Sequence, residues 1–599
     1  MILDKTEKTC MISSNWATRP TNYRELELPS TVEYENTTYT VVAIGKGAFA
    51  HDNIKRIVLP NTLISIGDSA FCSCSKLESI TIPKNVTFIG NKAFEDCSSL
   101  WYVNLPDATT HIGNRAFSNC KSLKYINLSN AINTIRDETF LNCDRLQTIN
   151  LPNSLKYLGK SAFSGCSSLT SIIMPNSLTN VGTSAFNRCI DMSSITFSNS
   201  LTCIDDSVFY GCKSLCNINL PTSLRSIGKH AFFECENLKL VNFPNSAICT
   251  SIGDYGFSKC KNLESIDIPN SVKNIGNYAF FECKNLESID IPNSVENIGN
   301  YAFFECSNLS SVKLSESIDR IKIGTFLNCE NLISITIPNS TTQLFSSAFA
   351  GCTNLTSVDL PNSLKAIDSY VFSNCSNITN INIPNSVKII NSSAFEGCTK
   401  LSSIHLPDSI ETIAPRLFFD CHNLSTIIIP DGVSTIWSRA FSGCTSLTSI
   451  KLPNSLQFLF DHIFDGCINL STINIPDSIS IIMSKAFQNA SGLRAIYYNT
   501  DTPLSCYWDI FSEDAYTIAT LYVKESALDK INNTVPWKLF SKIEPYNFSG
   551  VEDILSETNS NLVEVYNING VKVSDNTDEL PQGLYIVRQG NQSKKIIVK

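Results

Sequence analysis

Apolar positions recur along residues 46–496 with a period of 23 and fall into three short runs per period. In the stretch 71–97 they are Leu77, Ile80, Ile82, Val86, Ile89, Ala93, Phe94 and Cys97. "SITI" alternates apolar and polar, which predicts a short strand with Ile80 and Ile82 inward and Ser79 and Thr81 outward. Pro83 ends that strand, because it has no N–H for a continuing ladder. A turn at "PKN" leads into a second extended segment carrying Val86 and Ile89, and "AF" begins the return. The general form is L-x-x-I-x-I-P-x-S-V-x-x-I-G-x-x-A-F-x-x-C, and its phenylalanine recurs twenty times, from Phe49 to Phe487.

One such coil cannot stand alone, because its apolar side is a single row that needs a coil above and another below. Each fully buried Ile, Leu or Phe is worth roughly 1.5–3 kcal/mol. Stacking aligns like with like and joins the strands into one long parallel sheet. The predicted fold is a β-rich solenoid of about twenty coils with a curved parallel sheet, ~95 Å along its axis at ~4.8 Å per coil. Residues 261–283 and 284–306 are the same 23-residue sequence apart from Lys273 and Glu296. Identical coils are interchangeable, so a duplicated unit inserts without strain. Lys273 and Glu296 share a column and are placed to pair.

This pattern resembles the Treponema pallidum type of leucine-rich repeat, found in BspA-like bacterial surface proteins, over roughly residues 30–500. The resemblance implies a β-rich solenoid with a concave sheet, in a family that includes adhesins for host matrix proteins. The opening "EKTCMISSNWATRPTNYRELELPSTVEYENTTYTVVAIGKGAF" resembles that family's N-terminal segment, where two or three strands roof the first coil. The resemblance also implies one more strand and a secretory signal before Met1, so the natural start is expected further upstream. Near the other end, "TLYVKESALDKINNTVPWKLFSKI" resembles the family's closing unit: a strand, a short helix and a buried Trp537. Expected domains are an N-terminal cap (1–45), the repeats (46–496), a C-terminal cap (497–546), a polar linker (547–561) and a terminal domain (562–599).

The terminal segment has a different grammar. Alternating Val563 and Val565, Asn-Gly at 569–570, "LPQGLYIVR" and "KKIIVK" predict a small β-sandwich-like domain of hairpins. It resembles the C-terminal sorting domain of type IX secretion substrates at Asn567, Gly570, Gly583, Leu584, Tyr585, Lys594 and Lys595. That resemblance implies passage across the outer membrane of a Bacteroidota cell, contact with the secretion machinery, and a secreted, outer-surface location. "DSA" at 68–70 and "DSI" at 408–410 and 477–479 resemble O-glycosylation sites of the same bacteria.

Composition narrows the function. The 599 residues carry a net charge of −9 without a basic run, which argues against a nucleic-acid partner. No apolar stretch approaches ~18 residues, so no transmembrane segment is expected. Of 24 cysteines, most fall in one register from Cys74 to Cys467. That makes cysteine a repeat position, with buried thiols preferred over disulfides between neighbouring coils. The six histidines occupy scattered columns, and no metal or cofactor site is expected. Asp267 and Asp290 would lie ~5 Å apart, a spacing that in a cleft suits a retaining glycosidase. Duplication of the coil explains the pair, and an open sheet offers no pocket that excludes water. The chain is not read as an enzyme.

Two irregularities are candidate binding sites. Trp101, Tyr102 and Tyr125 replace small polar residues on the outward strand face, where aromatics serve as anchors; the alternative is that they pack under the N-terminal roof. The glycine of "IG" gives way in the last seven coils to other residues, among them Trp437, Phe460 and Met483. These three would stack as an exposed apolar stripe unless the closing unit or terminal domain covers them. The expected role is adhesion or recognition of a protein ligand, such as a matrix protein, on a host or neighbouring cell. A glycan-binding module using Trp101, Tyr102 and Tyr125, or a spacer without a specific ligand, is the alternative.

Overall fold

The computed structural model describes residues 1–13 and 24–548, and the backbone of four terminal strands, Val563–Asn567, Lys572–Ser574, Gly583–Gln589 and Gln592–Val598. The chain is a parallel β-solenoid built as two compact units, Met1–Gly432 with Ala440–Cys444, and Val433–Arg439 with Thr445–Lys599.

In the first unit each coil makes three turns around a common core. A three-residue strand such as Ser79–Thr81 pairs in parallel with its neighbour Tyr102–Asn104, Ile80 opposite Val103. A two-residue strand such as Phe88–Ile89 pairs with His111–Ile112. On the return side the Phe71 N–H donates to the Ala93 carbonyl at 2.8 Å, and the Phe94 N–H to Ala116 at 2.8 Å. Backbone groups are thus satisfied largely by the coils above and below, while turn bonds within a coil, such as the Cys97 N–H to the Phe94 carbonyl at 3.3 Å and the Leu100 N–H to Cys97 at 3.0 Å, close its corners. The expectation of one continuous sheet is corrected. The three-residue strands form parallel groups, five strands from Glu25–Glu27 to Tyr125–Asn127 and two- or three-strand groups beyond. The ladder lapses where coils draw slightly apart, as where the Gln147 N–H reaches the Lys124 carbonyl only at 3.5 Å.

Side chains of one column stack. Eighteen phenylalanines from Phe49 to Phe441 lie ring on ring, with neighbouring centroids between 5.2 and 5.8 Å. The cysteine column runs beside them, fully buried. Cys97 Sγ donates to the Phe71 carbonyl at 3.1 Å and Cys212 Sγ to Phe186 at 3.2 Å. Every described cysteine is a free thiol, so cysteine serves as a compact apolar filler with one weak donor. The irregular 25-residue step keeps the core intact by placing Cys249, also fully buried, where the neighbouring coils have Leu224 and Val272. The two extra residues go into the turn, where Ile248 is exposed.

The glycines after the inward isoleucine have ordinary backbone angles. Left-handed angles fall instead two and six residues later, as at Lys92 and Asp96. These glycines serve close approach: a Cβ on Gly90 would lie 2.5 Å from the Asp68 nitrogen of the preceding coil. Above the first coil, Thr37–Ile44 pairs in parallel with Thr9–Ile12 and antiparallel with Thr31–Tyr34, and Ile2–Asp4 folds back on Thr9–Ile12.

The second unit has a phenylalanine column of its own, Phe464 on Phe487 at 5.2 Å, which gains Phe511, 5.0 Å from Phe487, a member the period did not reveal. Strands Thr472–Ile475, Ala495–Tyr498, Thr520–Val523 and Lys542–Pro545 run parallel in register. Trp537 is fully buried, stacks on Tyr498 at 4.2 Å and donates Nε1 to the Leu504 carbonyl at 2.8 Å. The terminal strands form one four-stranded antiparallel sheet rather than a sandwich, with Asn567 opposite Tyr585 and Leu584 opposite Ile597.

Candidate functional site

The outward face of the five-stranded group carries the first candidate patch. Tyr102 and Tyr125 occupy equivalent positions on adjacent strands. Trp101 precedes Tyr102 and is 52 % exposed, its ring 5.6 Å from that of Tyr102 and tilted by 36°. Tyr125 is 41 % exposed, with the Lys124 ammonium 5.1 Å from its ring centroid and its hydroxyl 3.5 Å from Gln147 Oε1. One step along the strands, Asn127 Nδ2 donates to Asn104 Oδ1 at 3.2 Å. Strands Ser79–Thr81 and Arg56–Val58 separate the patch from the N-terminal strand Glu25–Glu27. Among the described residues, no roof covers it.

The second patch lies in the second unit. Trp437 and Phe460 stack at 4.4 Å, and Met483 follows one coil later, half-buried. The residue two positions before each aromatic also faces out. Phe458 pairs in register with Ile481, and its ring lies 6.5 Å from that of Phe460. Phe458 and Ile481 thus double the stripe's width. The sequence reading missed them because a residue one place before an inward isoleucine looks like any other variable position.

A third aromatic group was missed entirely. Tyr255, Tyr278 and Tyr301 occupy the left-handed turn position of successive coils and stack at 4.8 Å. His230 extends the row at 4.7 Å, and Phe281 and Phe304 stack beside it at 5.0 Å. The signal was present in the repeated "NYAFFEC".

Chemistry beyond binding finds little support. Cys72, Glu95 and Asp96 place one potential metal-ligand atom each within 4.8 Å of one another. Glu95 is already held by Lys92 at 3.2 Å and Arg115 at 3.8 Å, and Asp96 accepts a hydrogen bond from Asn119 at 2.8 Å. Burial also raises the Cys72 pKa, favouring the thiol over the thiolate a metal needs. Asp267 and Asp290 are both exposed on an open sheet face, Asp290 in register with Lys313. Ser409 and Ser478, of the "DSI" motifs, donate their hydroxyls to the carbonyls of Val387 and Leu456 at 2.7 and 2.8 Å. These are the same inter-coil bonds made by Ser177 and Ser455. A sugar at either site would have to break one. Of the residues that the sequence resemblance singles out in the terminal segment, Asn567, Gly583, Leu584, Tyr585, Lys594 and Lys595 lie on the terminal strands, while Gly570 lies outside the described residues.

No described helix is long and apolar enough to cross a membrane. The sequence pattern of the BspA type leucine rich repeat region matches residues 42–168, 133–249, 250–379 and 365–494. The chain belongs to the BspA-type leucine-rich-repeat family. Among solved structures, a leucine-rich repeat protein from Bacteroides ovatus is 31 % identical with a TM-score of 0.52, the match covering 65 % of this chain and 88 % of that one. A leucine-rich cell surface protein from Faecalibacterium prausnitzii is 25 % identical with a TM-score of 0.35, covering 67 % and 91 %. No curated protein matches. A BspA-type solenoid is a scaffold for recognition, and no catalytic family is indicated.

Proposed function

We propose that the protein is a secreted, outer-surface adhesin that recognises a protein ligand on a host or neighbouring cell, such as a matrix protein. The observation that supports this reading best is the stripe of Trp437, Phe460 and Met483, widened by Phe458 and Ile481. Five large apolar side chains, on three successive two-residue strands or directly after them, form an anchor of the kind that dominates protein interfaces. Trp437 remains 39 % exposed and Ile481 40 % exposed with the closing residues in place. The terminal sheet carries the export reading, through its likeness to type IX sorting domains at Asn567, Gly583, Leu584, Tyr585, Lys594 and Lys595, with the secretion machinery as its partner.

Wild type and a Trp437→Ser/Phe460→Ser double variant are tested against a panel of immobilised extracellular-matrix proteins. Wild type is expected to bind at least one of them, and the double variant to bind at least tenfold more weakly with an unchanged unfolding midpoint. Equal binding by both would remove the stripe from the reading, and no binding by wild type would leave the spacer. Protease shaving of intact producing cells tests location: the protein should be cut at the surface.

A further inference from the structure

We propose that the face bearing Trp101, Tyr102 and Tyr125 is a binding site for an acidic saccharide. The inference rests on a different unit from the protein-binding stripe and does not depend on it.

The surroundings of the rings carry the argument. In the stripe, aromatic and aliphatic side chains adjoin one another. Here three rings are set among groups that hydrogen-bond: the paired amides of Asn104 and Asn127, and Gln147 beside the Tyr125 hydroxyl. A protein hot spot needs a surround that sheds water, and amides hold it. A sugar suits this mixture, since its C–H face lies on an aromatic ring while its hydroxyls meet amides at the edge.

Charge decides what kind of sugar. Lys55 is neutralised by Glu78 at 3.0 Å, and Arg56 faces Glu25 at 3.9 Å. Lys124, under the Tyr125 ring, and Lys76 and Arg145, one coil to either side of the aromatic coils, have no carboxylate within 4.0 Å among the described residues. The whole chain carries −9, so Lys124 at the Tyr125 ring, with unpaired Lys76 and Arg145 on the flanking coils, sets a cationic character around the exposed Trp101 and Tyr125 and the half-buried Tyr102 against that background. They complement a uronate or sulfate group. Single-stranded nucleic acid also pairs rings with phosphates, but three cations release few counterions and the acidic remainder repels a long polyanion.

The site is tested by titrating the full chain with polygalacturonate oligosaccharides, neutral dextran oligosaccharides and oligo(dT), in low and physiological salt. Polygalacturonate is expected to bind, dextran at least tenfold more weakly, and oligo(dT) weakest. Trp101→Ala should reduce polygalacturonate binding about tenfold at either salt, the loss of one stacked ring. Lys124→Gln should reduce it mainly at low salt. Both variants should unfold at the wild-type urea midpoint, because both side chains lie at the surface, and the Trp437→Ser/Phe460→Ser variant should bind polygalacturonate as wild type does. The proposal is overturned if polygalacturonate does not bind, if dextran or oligo(dT) binds as tightly, or if Trp101→Ala binds like wild type.

Discussion

Raising the pH should loosen the coils through their cysteines. Burial pushes the thiols of Cys212, Cys352 and Cys398 from an ordinary value near 9.0 up to about 12. Because the folded value is the higher one, the folded chain keeps protons that the unfolded chain releases. Stability is therefore complete below pH 9 and declines as pH rises from 9 toward 12. At pH 10 an unfolded thiol is about nine-tenths ionised and a buried one about one-hundredth, a difference of about 1.4 kcal/mol per thiol. Three such thiols account for about 4 kcal/mol, and eleven column neighbours that burial also raises, among them Cys97, Cys235 and Cys329, add to it in the same direction. Tyrosines and lysines also titrate near pH 10, so the assay is a difference. Urea unfolding of wild type and of a Cys212→Ala/Cys352→Ala/Cys398→Ala variant is followed by circular dichroism at pH 8, 9 and 10. The variant starts less stable, having lost three sulfur atoms from the core, but should lose about 4 kcal/mol less between pH 8 and 10. Parallel slopes in the two proteins would refute the reasoning, and so would alkylation of the native column at pH 8 as fast as that of exposed Cys216.

Two structural predictions follow from the way coils meet. In Gly276→Ala the new methyl would lie 2.5 Å from the backbone of Asp254, so the variant should lose about 1–3 kcal/mol in urea unfolding, while Gly432→Ala, with nothing nearer than 3.8 Å, should stay within about 0.5 kcal/mol of wild type. Trp537→Ala should cost about 3–5 kcal/mol and raise light scattering at temperatures where wild type stays monodisperse, because it opens the capped end of the parallel strands.

What was legible in the sequence follows from what repeats. Inward positions are fixed by the column they join, so Ile80, Phe94 and Cys97 could be placed from spacing alone, and all three are fully or almost fully buried. The Lys273–Glu296 pair was equally legible and stands at 3.5 Å, although both side chains are too exposed for it to matter much. Sheet continuity was not legible, because it turns on tenths of an ångström between backbones that one apolar pattern covers equally. The role of the glycines was only half visible. Their replacement by Phe345, Asp368 and Asn391 excludes a need for left-handed angles, but that they mark close backbone approach is a property of two coils together. Phe458 and Ile481 escaped notice for a related reason: an outward residue acquires meaning only from the neighbour on the next coil.

That dependence on neighbours separates aromatic columns with open faces from aromatic columns that hold the coils together. In the turn column, Tyr278 has Tyr255 on one face and Tyr301 on the other, each at 4.8 Å, and Gly324 closes the row against the Tyr301 ring. With both faces occupied, such a ring offers a ligand little but its edge, and burial together with its tyrosine neighbours raises the Tyr278 pKa, keeping its hydroxyl protonated. The energy of that column goes into cohesion between the duplicated coils, as in the phenylalanine core. Trp101 differs: its ring is tilted by 36° from Tyr102, which leaves much of it open to solvent. Trp437 and Phe460 stand between these cases, with one face spent on each other and the rest contiguous with Phe458 and Ile481. An open face set among amides suits a flat ligand that brings its own hydroxyls, and a continuous apolar band suits another protein. The solenoid can carry both because its interior is the same in each coil, which leaves the outward columns free to differ.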